Sequence, residues 1–218
     1  MRFTEALRDE ADSVWQASMN HPFVIEVAAG TLPIEKFIHY IRNDSLYLRS
    51  FAQVQALAAA KAPDLQTLER LAFHAQSTSR AEHFLHETFF SMLQSTPPSS
   101  DGLPAPTAYR YITHLHAVAA HGTFAEIIAA ILPCYWLYWE IGLHYKDAHP
   151  EHPVYNKWIE TYGDEWFGEL VKEQIVRVDA LADAAGYEER LRMKRYFHIS
   201  CQYELEFWGM AYQLEQWL

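Results

Sequence analysis

Three residues with ionisable or nucleophilic side chains fall where a helical chain would place apolar ones. Phe37, Ile41, Asp44, Leu48 and Phe51 step by four, three, four and three, the spacing of one helix face, so Asp44 stands on an apolar stripe. Phe197, Cys201, Glu204, Trp208 and Ala211 repeat the pattern near the C-terminus, and Glu204 is a second acid among rings. Between them the stretch ILPCYWLYWE, residues 131–140, sets Cys134 and Tyr138 four apart on one face, directly after Pro133. A carboxylate on an apolar face must be hydrogen-bonded or shift its pKa, because an unpaired buried charge is expensive. Each residue also has a plainer reading. Asp44 fits a buried cap or helix contact, Glu204 a structural ion pair, and Cys134 an inert thiol packed as a small hydrophobe. Glu206 and Glu215 read as ordinary surface acids, and Trp136 and Trp139 as packing residues.

The elements that must position these side chains are all helical. Phe3, Ala6, Leu7, Ala11, Val14 and Trp15 recur at three- and four-residue steps and predict a first helix. Pro33 with Glu35 opens a long helix ending at Ala62-Pro63; Pro63-Asp64 opens another, reaching about Leu93. The stretch STPPSSDGLPAP, residues 95–106, is a surface connection rich in turn residues. Thr107 starts a helix to His121-Gly122. Thr123 with Glu126 has capping-box spacing and starts the helix that carries Cys134, which Pro133 should distort locally. Gly163-Asp164 and Gly186 separate three later segments, the last running from about Glu188 to Trp217. No strand, repeat or low-complexity tract is visible, so the chain reads as one all-α domain over residues 1–218.

Composition narrows the function. The 218 residues are 50% hydrophobic, 21% charged and 15% aromatic, which is a globular composition with an unusual share of rings. A formal net charge of -11 and no Lys/Arg run argue against nucleic acid or an anionic membrane as partner and favour a neutral or cationic ligand. No signal peptide or uncharged membrane-length run is visible, so a cytoplasmic location is expected. Two cysteines, Cys134 and Cys201, are too few for a disulfide framework or zinc cluster. No Glu-x-x-His pair of the di-iron kind occurs; Glu82, His83 and His86 alone do not complete one, so no metal is expected. Phosphate-loop and nucleophile-elbow motifs are absent as well.

HPFV at 21–24, GTLPIEKF at 30–37, DSLYL at 44–48, LPCYWLYWE at 132–140, YNKWIETYG at 155–163 and YELEFWGMAY at 203–212 together resemble the thiaminase II (TenA) family over essentially the whole chain. The resemblance implies a heme-oxygenase-like helical bundle, a homotetramer, and no metal or organic cofactor. It implies hydrolysis of 4-amino-5-aminomethyl-2-methylpyrimidine to the hydroxymethyl compound and ammonia, and cleavage of thiamin, in thiamin salvage. By motif it makes Cys134 the nucleophile, Glu204 the proton-transfer residue and Asp44 the partner of the amino-substituted edge. Tyr111, Tyr138 and Tyr162 would line the pocket, with Tyr47 and Phe207 flanking the ring. PTAYRYITH leaves Tyr109 and Tyr111 both open, since residues two apart cannot share a helix face. Asn43, where relatives commonly carry glutamine, departs from the pattern in a supporting hydrogen bond. A non-catalytic pyrimidine-binding or regulatory protein on the same scaffold is the alternative.

Overall fold

The computed structural model describes residues 1–98 and 102–218, and at Glu82, Phe84, Leu85 and His86 the backbone only. The helices in chain order are α1 (Phe3–Glu10), α2 (Asp12–Met19), α3 (Pro22–Ala29), α4 (Ile34–Ala60), α5 (Leu65–Met92), α6 (Pro106–His121), α7 (Phe124–His144), α8 (Pro153–Tyr162), α9 (Glu165–Ala184) and α10 (Tyr187–Gln213). No strand occurs among the described residues. The polar termini of these helices are closed as their sequences direct. Asp64 accepts from Thr67 N, Asp164 from Trp166 N, and His21 from Phe23 N ahead of Pro22. Thr123 and Glu126 form the reciprocal capping box that their spacing predicts.

The apolar stretch between His21-Pro22 and Gly30 is a helix, closed by Gly30 at φ 74°. Two local expectations are corrected. The predicted first helix is two, because Ala11 (φ -85°, ψ 0°) breaks it while its side chain stays on the buried face. The last helix stops at Gln213, where Leu214 turns left-handed (φ 54°), so Glu215 lies beyond it. Glu215 is half-buried and accepts from Thr107 N at 2.8 Å in the first turn of α6, a position where an acid complements the helix dipole, and is no ordinary surface acid.

One continuous apolar cluster runs from Leu7 to Ala211, and α7 passes through it against α4, α6, α8, α9 and α10. From Ala125 to Pro133 every residue of α7 is buried. This helix is long and apolar enough to cross a bilayer, but 72% of its apolar window is buried inside the bundle, where it supplies the core. Full burial of large side chains such as Trp15, Trp158, Trp208 and Phe23 stabilises by about 2–3 kcal/mol each against exposure.

Candidate active site

A cavity of about 480 Å3 opens between α4, α5, α7 and the α8–α9 junction. Asp44, Leu48 and Phe51 reach it from α4, Cys134, Tyr135 and Tyr138 from α7, and Tyr162 and Phe167 from the junction. Lys157, Glu160, Asp164 and Trp166 line it as well. Asp44, Leu48 and Phe51 are three members of the α4 stripe, so the face that placed an acid among apolar residues is a face of this cavity.

Cys134 is half-buried where its helical neighbours Leu132, Pro133 and Tyr135 are buried, because its side chain meets the cavity. It is surrounded by protein yet reachable from the hollow. Desolvation pushes its thiol up, and the negative charges of Glu204 and Asp44 push the same way, while the neighbouring Tyr47 hydroxyl opposes them. Pro133 lies inside α7 and removes one backbone donor directly before the thiol.

Glu204, 2% exposed, lies on α10 one layer behind the cavity wall. Its partner is no cation, as a structural ion pair would require. The Tyr111 hydroxyl donates to its Oε1 at 2.6 Å. Burial raises the Glu204 pKa to about 8; the Tyr111 hydrogen bond lowers it and the Asp44 charge raises it. Tyr109 is 46% exposed and packs on Trp217, so of the two tyrosines in PTAYRYITH it is Tyr111 that turns inward.

Of the eight residues singled out from the sequence, Asp44, Cys134, Tyr138 and Tyr162 line the cavity. Glu204, Tyr47, Tyr111 and Phe207 do not; they form the layer beneath it. Tyr47 packs on Tyr111 with ring centroids 4.8 Å apart and on Phe207 at 5.7 Å. Tyr138 and Tyr162 meet at 4.7 Å, and Trp208 backs Tyr138 at 5.1 Å. Sequence reasoning missed Tyr135, although it adjoins Cys134, and the mouth residues Lys157, Glu160, Asp164, Trp166 and Phe167. Their signal is the segment YNKWIETYGDEWF, where polar and aromatic residues crowd one helix junction.

Tyr135 is anchored by a buried polar network. The Gln55 amide donates to its hydroxyl, and that hydroxyl lies 2.9 Å from His74 Nδ1. Burial holds His74 down at about 4 against the opposing pull of Glu173, so the ring is neutral at pH 7. A neutral His74 presents Nδ1 as acceptor to the tyrosine when its proton sits on Nε2, 3.3 Å from Glu173. Asn43, beside Asp44, donates to His39 O and accepts from Ala105 N at 2.8 Å, tying the α5–α6 connection to α4.

Tyr162 owes its place to a close backbone approach. A Cβ at Gly142 would sit 2.3 Å from Tyr162 C and 2.4 Å from Gly163 N, so α7 touches the end of α8 only because residue 142 has no side chain. Gly142→Ala is therefore expected to lower stability by about 1–3 kcal/mol and the thermal midpoint by roughly 2–10 °C. Calorimetry of the variant checks this, and an unchanged midpoint would show that the junction shifts without cost.

Among the described residues no group of three His, Cys, Asp or Glu side chains is placed to hold a metal. His83 is exposed, with Nδ1 3.1 Å from Ser79 O, while the side chains of Glu82 and His86 lie outside the described residues.

The family model described as TENA/THI-4/PQQC matches residues 8–214. The chain belongs to the TENA/THI-4/PQQC family. An aminopyrimidine aminohydrolase of Bacillus subtilis is 48% identical over 218 residues, covering all of this chain and 92% of that protein. A solved TenA homologue from P. horikoshii OT3 superposes with a TM-score of 0.89 at 27% identity, over 98% of this chain and 99% of the other. A domain of unknown function with a heme oxygenase-like fold from Shewanella denitrificans OS217 superposes at 0.72 with 15% identity, covering 97% and 92% of the two chains. This TENA/THI-4/PQQC chain therefore has the all-α heme-oxygenase-like fold that its motifs imply.

Proposed function

We propose that this chain is a hydrolase that converts 4-amino-5-aminomethyl-2-methylpyrimidine to the hydroxymethyl pyrimidine and ammonia, in thiamin salvage. The observation that carries the reading is one aromatic-walled cavity shared by Cys134 and Asp44, with Glu204 directly behind the thiol. The name of the Bacillus subtilis relative supports it. Phe51, Tyr138 and Tyr162 line the cavity with rings, a lining that suits a flat heterocycle, holding it at low entropic cost and keeping water away.

The bond to be broken joins a methylene carbon to nitrogen, and the aromatic ring cannot expel the amine unaided. In the proposed scheme the Cys134 sulfur adds to the unsubstituted ring carbon, the thiol loses its proton, and a ring nitrogen gains one. Glu204 carries that proton. A pKa of about 8 puts it within about one unit of neutrality, where a carboxyl both gives and takes protons readily. The Tyr111 hydrogen bond and the Tyr47–Phe207 layer hold it in place. The exocyclic amino group, held by Asp44, then pushes electrons through the ring. The carbon–nitrogen bond breaks, the nitrogen of the aminomethyl group leaves as ammonia from its ammonium form, and the carbon stays on the ring as an exocyclic methylene. Water adds to the exposed methylene, the ring nitrogen gives up its proton, and sulfur departs as the thiol, restoring the aromatic ring.

Thiamin is proposed as a second substrate of the same pocket. Besides Cys134, the cavity is lined by Glu160, Asp164, Lys157 and Trp166, and the two acids suit the cationic thiazolium of thiamin. Incubating the protein with each compound and quantifying ammonia and thiazole alcohol tests both readings; release of neither, with the pyrimidine still bound, would leave a binding protein. A homotetramer is proposed on the family resemblance, and light scattering tests it.

The scheme also assigns a pH effect to Tyr111. Its hydrogen bond lowers the Glu204 pKa, so Tyr111→Phe should move the alkaline limb of kcat/KM upward from about pH 8. A limb that stays put or moves down in a pH–rate profile would show that Glu204 does not set it.

A further inference from the structure

The hydroxyl of Tyr138 is backed by two buried polar groups that bear on which way its hydrogen points. The indole nitrogen of Trp158 carries one hydrogen and no acceptor, and it donates to the Tyr40 hydroxyl at 3.2 Å. Tyr40 therefore receives at its oxygen and has one hydrogen left to place. The Tyr138 hydroxyl lies 3.3 Å away. Tyr162 adjoins Tyr40 as well, but the contact that meets hydrogen-bond geometry is the one to Tyr138. Trp158 and Tyr40 are each 1% exposed, so no solvent competes for either group. Phe23, Phe37 and Trp208 pack around the Tyr40 ring at 5.1–5.7 Å and hold its hydroxyl on this line. If Tyr138 accepts from Tyr40, its own hydrogen turns the other way, into the cavity that Tyr138 lines.

We propose that Trp158 and Tyr40 are positioning residues that fix Tyr138 as a hydrogen-bond donor into the cavity, so that the pocket selects a flat ring presenting an unprotonated ring nitrogen to Tyr138. A ring with C–H at that place leaves the Tyr138 hydrogen buried and unpaired, which costs binding. The inference rests on the aminopyrimidine reading, because it concerns how the same ring is recognised.

Binding, and not turnover, separates the two ideas. Titration calorimetry of the hydroxymethyl pyrimidine product is compared with its two pyridine analogues, each with one ring nitrogen replaced by C–H. The wild-type protein should bind one analogue about tenfold or more weaker than the pyrimidine. In Tyr40→Phe and in Trp158→Phe, tested separately so that one well-folded variant suffices, that ratio should fall below about threefold, because the Tyr138 hydroxyl is then free to turn away from the C–H. Tyr138→Phe should abolish it. A structural role for Tyr40 or Trp158 would weaken all three ligands together and leave the ratio intact. Full discrimination retained in both variants, or in Tyr138→Phe, overturns the proposal. A wild-type protein that binds none of the three ligands overturns the aminopyrimidine reading, and this inference with it.

Discussion

Cys134→Ser is expected to lose aminopyrimidine hydrolysis by roughly 10^3-fold or more in kcat while its thermal midpoint stays close to that of the wild type. The side chain keeps its size and its place on the cavity wall, so packing changes little. What it loses is the capacity to add to the ring, because an alcohol is a far weaker nucleophile than a thiol. The thiol itself is held protonated chiefly by burial, with the charge of Asp44 pushing the same way, so it reacts only as its proton is drawn off. Cys201→Ser is the control. That thiol is buried on α10, does not line the cavity, and should be replaceable without loss of turnover. A Cys134→Ser protein with wild-type turnover would remove covalent catalysis from the account.

Glu204→Gln should separate activity from stability in opposite directions. Activity should drop about 10^2- to 10^4-fold, the usual range for a lost acid–base group, since an amide cannot shuttle the proton. Stability should rise. The folded carboxyl has a pKa of about 8 against about 4.5 in the unfolded chain, so at pH 7 the native state must take up a proton that the unfolded state lacks. Stability referable to this group is complete below about pH 4.5 and is lost as pH rises toward 8. The cost is of order 3 kcal/mol at pH 7, and glutamine avoids it while its carbonyl still accepts from Tyr111. Because the new amide donors also need partners, a net gain of roughly 1–2 kcal/mol is expected, seen as a midpoint higher by several degrees at pH 7–8 that shrinks with falling pH and drops below wild type toward pH 4.5. A variant less stable than wild type at pH 8 would mean that burial does not raise the Glu204 pKa in the folded protein.

The helices and the chemistry-bearing stripe were readable from the sequence because both depend on local spacing. The Asp44 stripe, the Thr123–Glu126 box and the four-residue step from Cys134 to Tyr138 each concern residues within one or two turns of a helix. What escaped the sequence depends on tertiary placement or on weak local signals. The break at Ala11 is silent because residues on both sides keep the same buried face. A left-handed Leu214 carries no residue-type signal, so the sequence predicts a last helix that runs past Gln213 and hides the contact of Glu215 with α6. Tyr109 and Tyr111 differ only in which face of α6 turns toward α10, and the mouth of the cavity exists only where α8 and α9 meet α5. The two-layer arrangement, with Asp44, Cys134, Tyr138 and Tyr162 at the surface of the cavity and Glu204, Tyr111, Tyr47 and Phe207 below, likewise follows from how five helices pack.

The most direct test of the account is ammonia release from 4-amino-5-aminomethyl-2-methylpyrimidine by the purified protein in ¹⁸O-labelled water, with the product identified by mass. The account predicts ammonia and hydroxymethyl pyrimidine in equal amounts, with the label in the hydroxymethyl group, and no such product from Cys134→Ser. Tight binding of the pyrimidine by the wild type with no ammonia released would contradict it and leave a binding protein on this scaffold.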